Sequence, residues 1–268
     1  QRILIQDGQD ISAIMQLCIN TLQQDSEQNN ISSLHCLFPD HAQIKQLPQE
    51  MLIRVGVQFQ WFNKNYRDFD DYLQSFTSRQ RKNIKKERRK VSEQGIQFQR
   101  LTGPEISEQQ WQVFFRFYEM TYVKRGQSAY LNRAFFTQLA ETMPEQILLI
   151  LANNDEVYVG AALSFIGENT LYGRYWGCYE EYQCLHFEAC YYQGLEYCIV
   201  QNKQVFDSGA QGEHKISRGF EPISTYSAHW MLNPEFAKLI ADFLQREQEF
   251  IGDYKNNCRQ QLPFKVSE

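Results

Sequence analysis

From Ile96 onward the spacing of polar and apolar residues changes in a fixed order, and that order restricts the fold more than any other property of the chain. An extended segment over Ile96–Leu101 leads to a helical stretch where Ser107 and Gln110 form a capping box. Trp111, Phe114, Phe115, Tyr118 and Tyr122 make its single apolar stripe. A second helix is predicted over Arg133–Thr142. Strands at Ile147–Ala152, Val157–Ile166 and Thr170–Trp176 follow, divided by the turn-forming triplets Asn153-Asn154-Asp155 and Gly167-Glu168-Asn169. A helix over His186–Gln201, a short strand at Val205-Phe206, a glycine-rich loop, a strand over Ile223–Trp230 and a last helix opened by Asn233-Pro234 complete the order. The pattern reads β-α-α-β-β-β-α-β-loop-β-α. It predicts an α+β fold with helices flanking a mixed, mostly antiparallel sheet.

Upstream, Arg2–Ile5 and Ser33–Leu37 read as strands, and Ile11, Ile14, Met15, Cys18, Ile19 and Leu22 mark a helix. A short helix is expected over Ala42–Leu47, then two extended segments, Met51–Val55 and Val57–Phe62, joined at Gly56. Between Phe69 and Gly95, Phe69, Leu73, Phe76, Ile84 and Val91 keep one helical face. Arg79, Arg81, Lys82, Lys85, Lys86, Arg88, Arg89 and Lys90 crowd the others, with Glu87 the one acid among them. Ser78 or Thr77 can cap the second piece of this stretch, and Gly95 can end it.

The chain has 268 residues, 43% of them hydrophobic, enough to bury a large core. Its net charge of −5 speaks against a nucleic-acid footprint over the whole surface and leaves a local basic patch open. Seven cysteines without a CxxC pair fit reduced, buried thiols, hence a cytoplasmic protein. No apolar run approaches the roughly 18 to 20 residues of a membrane span, and no signal-peptide pattern opens the chain. Because the sequence opens on Gln1 and not on Met, a missing leading segment is expected.

The chemistry concentrates in Ser208–Phe220, where three glycines are interspersed with Glu213, His214, Lys215 and Arg218. Acyl transfer to an amine needs a proton acceptor and donors for the developing oxyanion, and this loop offers both. The bland reading pairs Glu213 with Arg218 structurally and leaves His214 as a cap. Arg174, Tyr175 and Trp176 end a strand between Gly173 and Gly177 and suit an anion or a sugar, although alternation makes one of the two rings core. His186 and Glu188 open the next helix. A His-x-Glu pair without a third ligand is a weak metal signal, so substrate binding is preferred and no metal is expected.

Five strings, read in order, carry a family resemblance: Val57-Gln58-Phe59-Gln60-Trp61-Phe62-Asn63, Arg81–Arg88, Leu171-Tyr172-Gly173-Arg174-Tyr175-Trp176-Gly177, Leu185–Gln193 and Gly209-Ala210-Gln211-Gly212-Glu213-His214-Lys215. Together they resemble the FemAB-like family of "peptidoglycan biosynthesis/recognition", a branch of the GNAT acyltransferase superfamily, over about Arg2 to Phe264. Gln60 departs from the family string, which commonly has His there. The resemblance implies a tandem GNAT-like, Fem-type fold in which residues 1–68 are the back end of an incomplete first unit. Residues 69–95 become a basic connector helix and residues 96–268 a complete second unit.

It further implies an N-acyltransferase that forms an amide on an amine of a cell-wall peptide or similar acceptor. Glu213, His214, Lys215 and Arg218 are then catalytic, and Arg174, Tyr175, Trp176, His186, Glu188 and Gln211 bind substrate. Gln58 and Trp61 are expected to line a cleft between the two units, with core packing equally open for Trp61. The implied donor is aminoacyl-tRNA, met by Lys85, Lys86, Arg88 and Arg89. An acyl-CoA donor stays open, but Cys178–Cys184, where a glycine-rich pyrophosphate loop is needed, has no glycine and contains Glu180 and Glu181. Two rival readings remain: a recognition module that binds cell-wall fragments without turnover, and an acyl-CoA-dependent N-acyltransferase.

Overall fold

The computed structural model describes residues 3–6, 8–210 and 212–265, without the side chains of residues 27 and 28. In chain order its elements are α1 Ile11–Asn29, β1 Ser33–Leu37, α2 His41–Ile44, β2 Leu52–Phe62, α3 Phe69–Gln74, α4 Ser78–Glu93, β3 Ile96–Thr102, α5 Glu108–Val123 and α6 Arg133–Thr142. There follow β4 Ile147–Asn154, β5 Val157–Ile166, β6 Thr170–Cys178, α7 Leu185–Phe187, α8 Gln193–Val200, β7 Val205–Asp207, β8 Glu221–Met231 and α9 Pro234–Gln260. A π-helical turn, Glu188–Tyr192, runs α7 into α8, and a 3-10 helix, Glu213–Arg218, stands between β7 and β8.

These elements form two compact units, residues 1–58 with 222–260 and residues 59–221 with 261–268. The divisions expected at 68 and 95 therefore differ from the observed ones. The reason is a long-range ladder: β8 pairs antiparallel with β1 from Ser33↔Met231 to Leu37↔Ser227, so the chain's last strand belongs with its first residues. In this unit Asp10 caps α1 by accepting from the amides of Ser12 and Ala13. Ile11, Met15 and Ile19 then repeat at every fourth position and bury against Met51, Ala228 and Trp230. Ile3 and Ile5 pack on the same cluster without forming the expected strand, and Arg2 lies outside the described residues. The two segments expected on either side of Gly56 are one strand, β2. A Cβ at Gly56 would come within 3.1 Å of Thr225 Oγ1, so a residue without a side chain suits the position.

In the other unit the strands run β2-β7-β6-β5-β4-β3, with Phe59–Phe62 of β2 at one edge. β6 and β7 are parallel, whereas β3, β4, β5 and β6 pair antiparallel, giving the mixed, mostly antiparallel sheet expected. Six successive residues, Ile147–Ala152, are buried on β4, which requires cover on both faces. Phe114, Phe117 and Tyr118 of α5 with Phe136 and Leu139 of α6 cover Leu149, Leu151, Ala161 and Leu163. Val91 of α4 and Leu185 of α7 cover Ile96, Ala152 and Val159. Each such side chain contributes about 1.5–3 kcal/mol.

The basic connector expected over 69–95 is two helices inside this unit, the second starting where the expected Thr77–Ser78 cap stands. The break falls where Phe76 bridges Phe264, Thr77 N donates to Pro263 O, and Lys265 N donates to Ser75 O. Tyr72, Leu73, Phe76, Ile84 and Val91 are buried, so α3 and α4 are core elements and not a linker.

Candidate functional site

The cleft in residues 59–221 follows from strand lengths. β7 pairs with β6 only at Thr170↔Val205, Leu171↔Phe206 and Tyr172↔Asp207, while β6 continues to Cys178. Beyond Gly173 the two chains part, and a cavity of about 740 Å³ opens, floored by β5 and β6. Its walls are the C-terminal turns of α5, the π-helical turn and the segment after β7. The α5 wall sits close because Gly177 has no side chain: a Cβ there would lie 2.1 Å from Phe117 O. Thr121 Oγ1 also donates to Trp176 O at 2.9 Å, fixing the helix to the strand.

The turn that delivers the polar groups is bracketed by Gly212 and Gly219, at φ 105° and 82°, where other residues are strained. Lys215 is buried, and its ammonium donates to Gly209 O at 2.5 Å and Ser208 O at 3.4 Å. Burial pulls its pKa down to about 8, with Asp207 opposing the shift. His214 Nε2 lies 2.8 Å from the Tyr191 hydroxyl. Burial, then Arg218 and Lys215, hold the His214 imidazole below its usual pKa. His186 is pushed down to about 4 by burial first and then by His214, Arg218 and Lys215. Burial raises the Tyr191 phenol, which keeps its proton at neutral pH. Two neutral imidazoles, a protonated phenol and a buried cation thus meet in one cavity.

The structure brings Arg174, Tyr175, Trp176, His186, His214 and Lys215 to that cavity as the sequence leads one to expect. It does not bring Arg218. Its Nη2 donates to both carboxylate oxygens of Glu87, 2.8 Å to each, and the guanidinium lies over Phe187 at 3.6 Å. Arg218 Nη1 also donates to His214 O at 2.6 Å, so it braces the turn from behind. Glu213 is exposed and outside the lining. Glu188 faces the opposite way, accepting from Arg88 and from Gln193, which removes it from the substrate wall. Trp61 is core, its ring centroid 6.2 Å from Tyr66 and 5.9 Å from Tyr72. Gln58 is half-buried in the other unit and outside this lining, and Gln211 lies outside the described residues.

On α4, Lys85 and Lys86 are exposed, with Lys85 paired to Asp70 at 3.3 Å and Arg89 to Glu93 at 3.4 Å. Arg88 is absorbed between Glu188 and Glu196, because its position on the helix turns it inward.

Sequence reasoning missed Tyr191, Cys190, Tyr118, Tyr122 and Arg125 as lining residues. Tyr118 and Tyr122 carry the helical signature of a packing stripe, and nothing in their spacing separates a ring that ends a core from one that walls a cavity. The π-helical turn, which sends His186, Cys190 and Tyr191 to one side, has no sequence signature of its own.

Among the described residues no helix is long and apolar enough to cross a membrane. No curated protein matches the chain in sequence. Solved structures share the fold at low identity. FemX is 11% identical with a TM-score of 0.51, covering 90% of this chain and 82% of FemX. L-PGS from Bacillus licheniformis is 12% identical with a TM-score of 0.54, covering 85% and 77%. A conserved protein of unknown function from Bacteroides thetaiotaomicron VPI-5482 is 10% identical with a TM-score of 0.50, covering 80% and 75%. The FemAB-like family, described as peptidoglycan biosynthesis/recognition, matches residues 1–266, nearly the whole chain. With a Fem-type fold and a cavity formed where β6 and β7 diverge, the chain belongs to the FemAB-like family.

Proposed function

We propose that the chain is a Fem-type N-acyltransferase that moves an acyl group from an ester donor to an amine of a cell-wall peptide. The observation that carries this reading is the buried Lys215 ammonium beside the His214–Tyr191 pair in one open cleft. An amine attacks an acyl carbon only in its neutral form, and a cleft whose cations depress neighbouring imidazoles also lowers the pKa of an entering ammonium. The C–N bond forms as the carbonyl oxygen takes up negative charge. Lys215 has donors on two carbonyls and a third proton for that oxyanion. The amine proton passes to the Tyr191 oxygen as the phenol gives its own to His214 Nε2. The C–O bond to the leaving alcohol then breaks, and the proton returns to that oxygen.

Aminoacyl-tRNA suits the donor role better than acyl-CoA. Glu180 and Glu181 are exposed in the connection before α7, where a pyrophosphate would meet two carboxylates. Lys82, Lys85, Lys86 and Arg89 on α4 present an exposed basic face for phosphates. Incubating the protein with a muropeptide and either charged tRNA or acetyl-CoA, and reading the products by mass spectrometry, tests this. A mass increase by one aminoacyl residue with tRNA alone is expected. An acetylated product sinks the donor assignment, and muropeptide binding with no product under either donor favours a recognition module.

A further inference from the structure

We infer that the outer end of the cleft is a carboxylate subsite, built from Arg125 and Arg174, that holds a free carboxylate of an amino-acid-like or short-peptide acceptor while its amine lies at His214. This assignment rests on the acyltransferase reading of the same cleft.

The first observation is one of charge. Arg125, Arg174 and Lys215 line the cavity together with two histidines, and among the described residues no aspartate or glutamate does. Asp207, whose charge opposes the Lys215 shift, already accepts from Gly209 N and Gln60 Nε2, and Glu87 holds Arg218. Among the described residues neither Arg125 nor Arg174 has an ion-pair partner, whereas Arg88 and Arg218, outside the cavity, both do.

The second observation is how Arg174 is placed. In the β5–β6 ladder Leu163 faces Tyr175 and Ser164 faces Gly173, so Arg174 is the unpaired residue of a β-bulge. A bulge re-aims a side chain at the loss of ladder bonds. Here it turns the guanidinium over the Tyr175 ring, 4.7 Å from the centroid, with Nη2 donating to the Tyr130 hydroxyl at 3.2 Å. Tyr130 in turn stands edge-on to Tyr118 and Tyr122. A guanidinium held over a ring presents a planar fork of donors, matched to a planar carboxylate.

A phosphate fits this end less well. Arg125 lies just beyond the C-terminus of α5, where the helix dipole opposes a dianion, and the subsite offers side-chain donors without a helix N-terminus. Anchoring the carboxylate there leaves the acceptor's amine to reach inward, toward the group that takes its proton.

The test uses lysyl-alanine and its C-terminal amide, titrated calorimetrically against the full chain without any acyl donor. The acid is expected to bind in the millimolar range or tighter and the amide about tenfold more weakly. Arg125→Gln with Arg174→Gln should erase that preference, and Arg174→Lys, which keeps charge but not the fork, should reduce it. Arg116→Gln removes the same charge from the exposed face of the same helix outside the cavity and should leave the preference intact.

Equal binding of acid and amide, no binding of the acid, a preference that survives the double variant, or arginine-dependent binding of inorganic phosphate alone each overturns the subsite. All three variants alter exposed side chains, and melting temperatures verify their folding. Binding is read without a donor, so equal binding of acid and amide by the unaltered chain, with transfer intact, removes only the subsite. An intact preference in a protein that forms no amide removes the acyltransferase reading instead.

Discussion

The helical rod from Leu185 through the π-helical turn to Val200 has two unlike flanks. On one, Glu188 accepts from Arg88 Nη2 at 2.9 Å and from Gln193 at 2.8 Å, and Glu196 pairs with Arg88 at 2.6 Å and Arg100 at 3.3 Å. Every charge there has a counter-charge. On the other flank His186, Cys190 and Tyr191 face a cavity whose lysine and arginines lack a carboxylate in the lining. The 3-10 helix repeats the contrast within three residues, Arg218 closing a buried ion pair and Lys215 pointing its ammonium at carbonyls and open space. Sites that hold a cation in place against its solvation preference are poised to act on a guest; paired ones hold the fold.

The largest break in that contrast is Lys215→Met. On the proposed mechanism it removes an oxyanion donor and lowers turnover about 10²- to 10³-fold. The native state does not suffer, because a buried ammonium is exchanged for an apolar chain of similar length. Stopped assays beside thermal melts check this, and a melting temperature that falls with activity would mean that Lys215 is structural. Arg218→Met should behave in the opposite sense. Glu87, which also accepts from the Tyr192 hydroxyl, is left without its cation, and unfolding free energy drops by about 3 kcal/mol. Arg218→Met with Glu87→Gln should cost less than the sum of the single changes in urea titrations, as expected of two groups in one contact.

His214 and Lys215 together set a pH dependence smaller than either substitution. His214 must be neutral to accept a proton, and its pKa is lowered, so kcat/KM should rise with a midpoint below the ordinary histidine value of about 6.5. Lys215 must be protonated, so the profile should fall as pH rises through about 8. His214→Ala should flatten the acid limb and Lys215→Met the alkaline one. The sign for stability is separate. With a folded pKa of about 8 against the ordinary lysine value of 10.5, Lys215 binds fewer protons in the native state across that window. Stability should therefore increase with pH there, and Lys215→Met should remove that increment.

Much of the stretch from Ile96 onward was legible from local rules. The Ser107–Gln110 capping box forms, α6 occupies Arg133–Thr142, and the triplets after β4 and β5 turn the chain where expected. These features need only neighbours in sequence. What was not legible depends on partners far along the chain. Arg88 meets Glu188, 100 positions away, and Arg218 meets Glu87, 131 positions away, so a basic stripe and a catalytic-looking loop each hid a structural arginine. The start of α4 at Ser78 was legible, but the contacts of Pro263 and Lys265 that hold the break were not, and the grouping of β8 with β1 comes from a ladder nearly 200 residues wide. Within the cleft, the loop glycines and His214-Lys215 pointed to the site, whereas the bulge at Arg174 left no signal in composition.

The exposed face of α4 lies between the two behaviours, and it gives the smallest expected effect on the fold. Lys85 and Arg89 make single, exposed ion pairs with Asp70 and Glu93, contacts that contribute little in water. Lys86 is exposed, and no ion pair forms on it among the described residues. Changing Lys85, Lys86 and Arg89 to Gln together should move unfolding free energy by no more than about 0.5 kcal/mol. If this face meets the phosphates of the donor, the same triple variant should weaken tRNA binding and flatten the slope of log K against log salt by about 2 to 3. Arg88→Gln should do the reverse, lowering stability by stranding Glu188 and leaving the slope alone. A slope unchanged by the triple variant detaches tRNA from α4 altogether, since long-range attraction that ignores three charges cannot originate on the face that carried them.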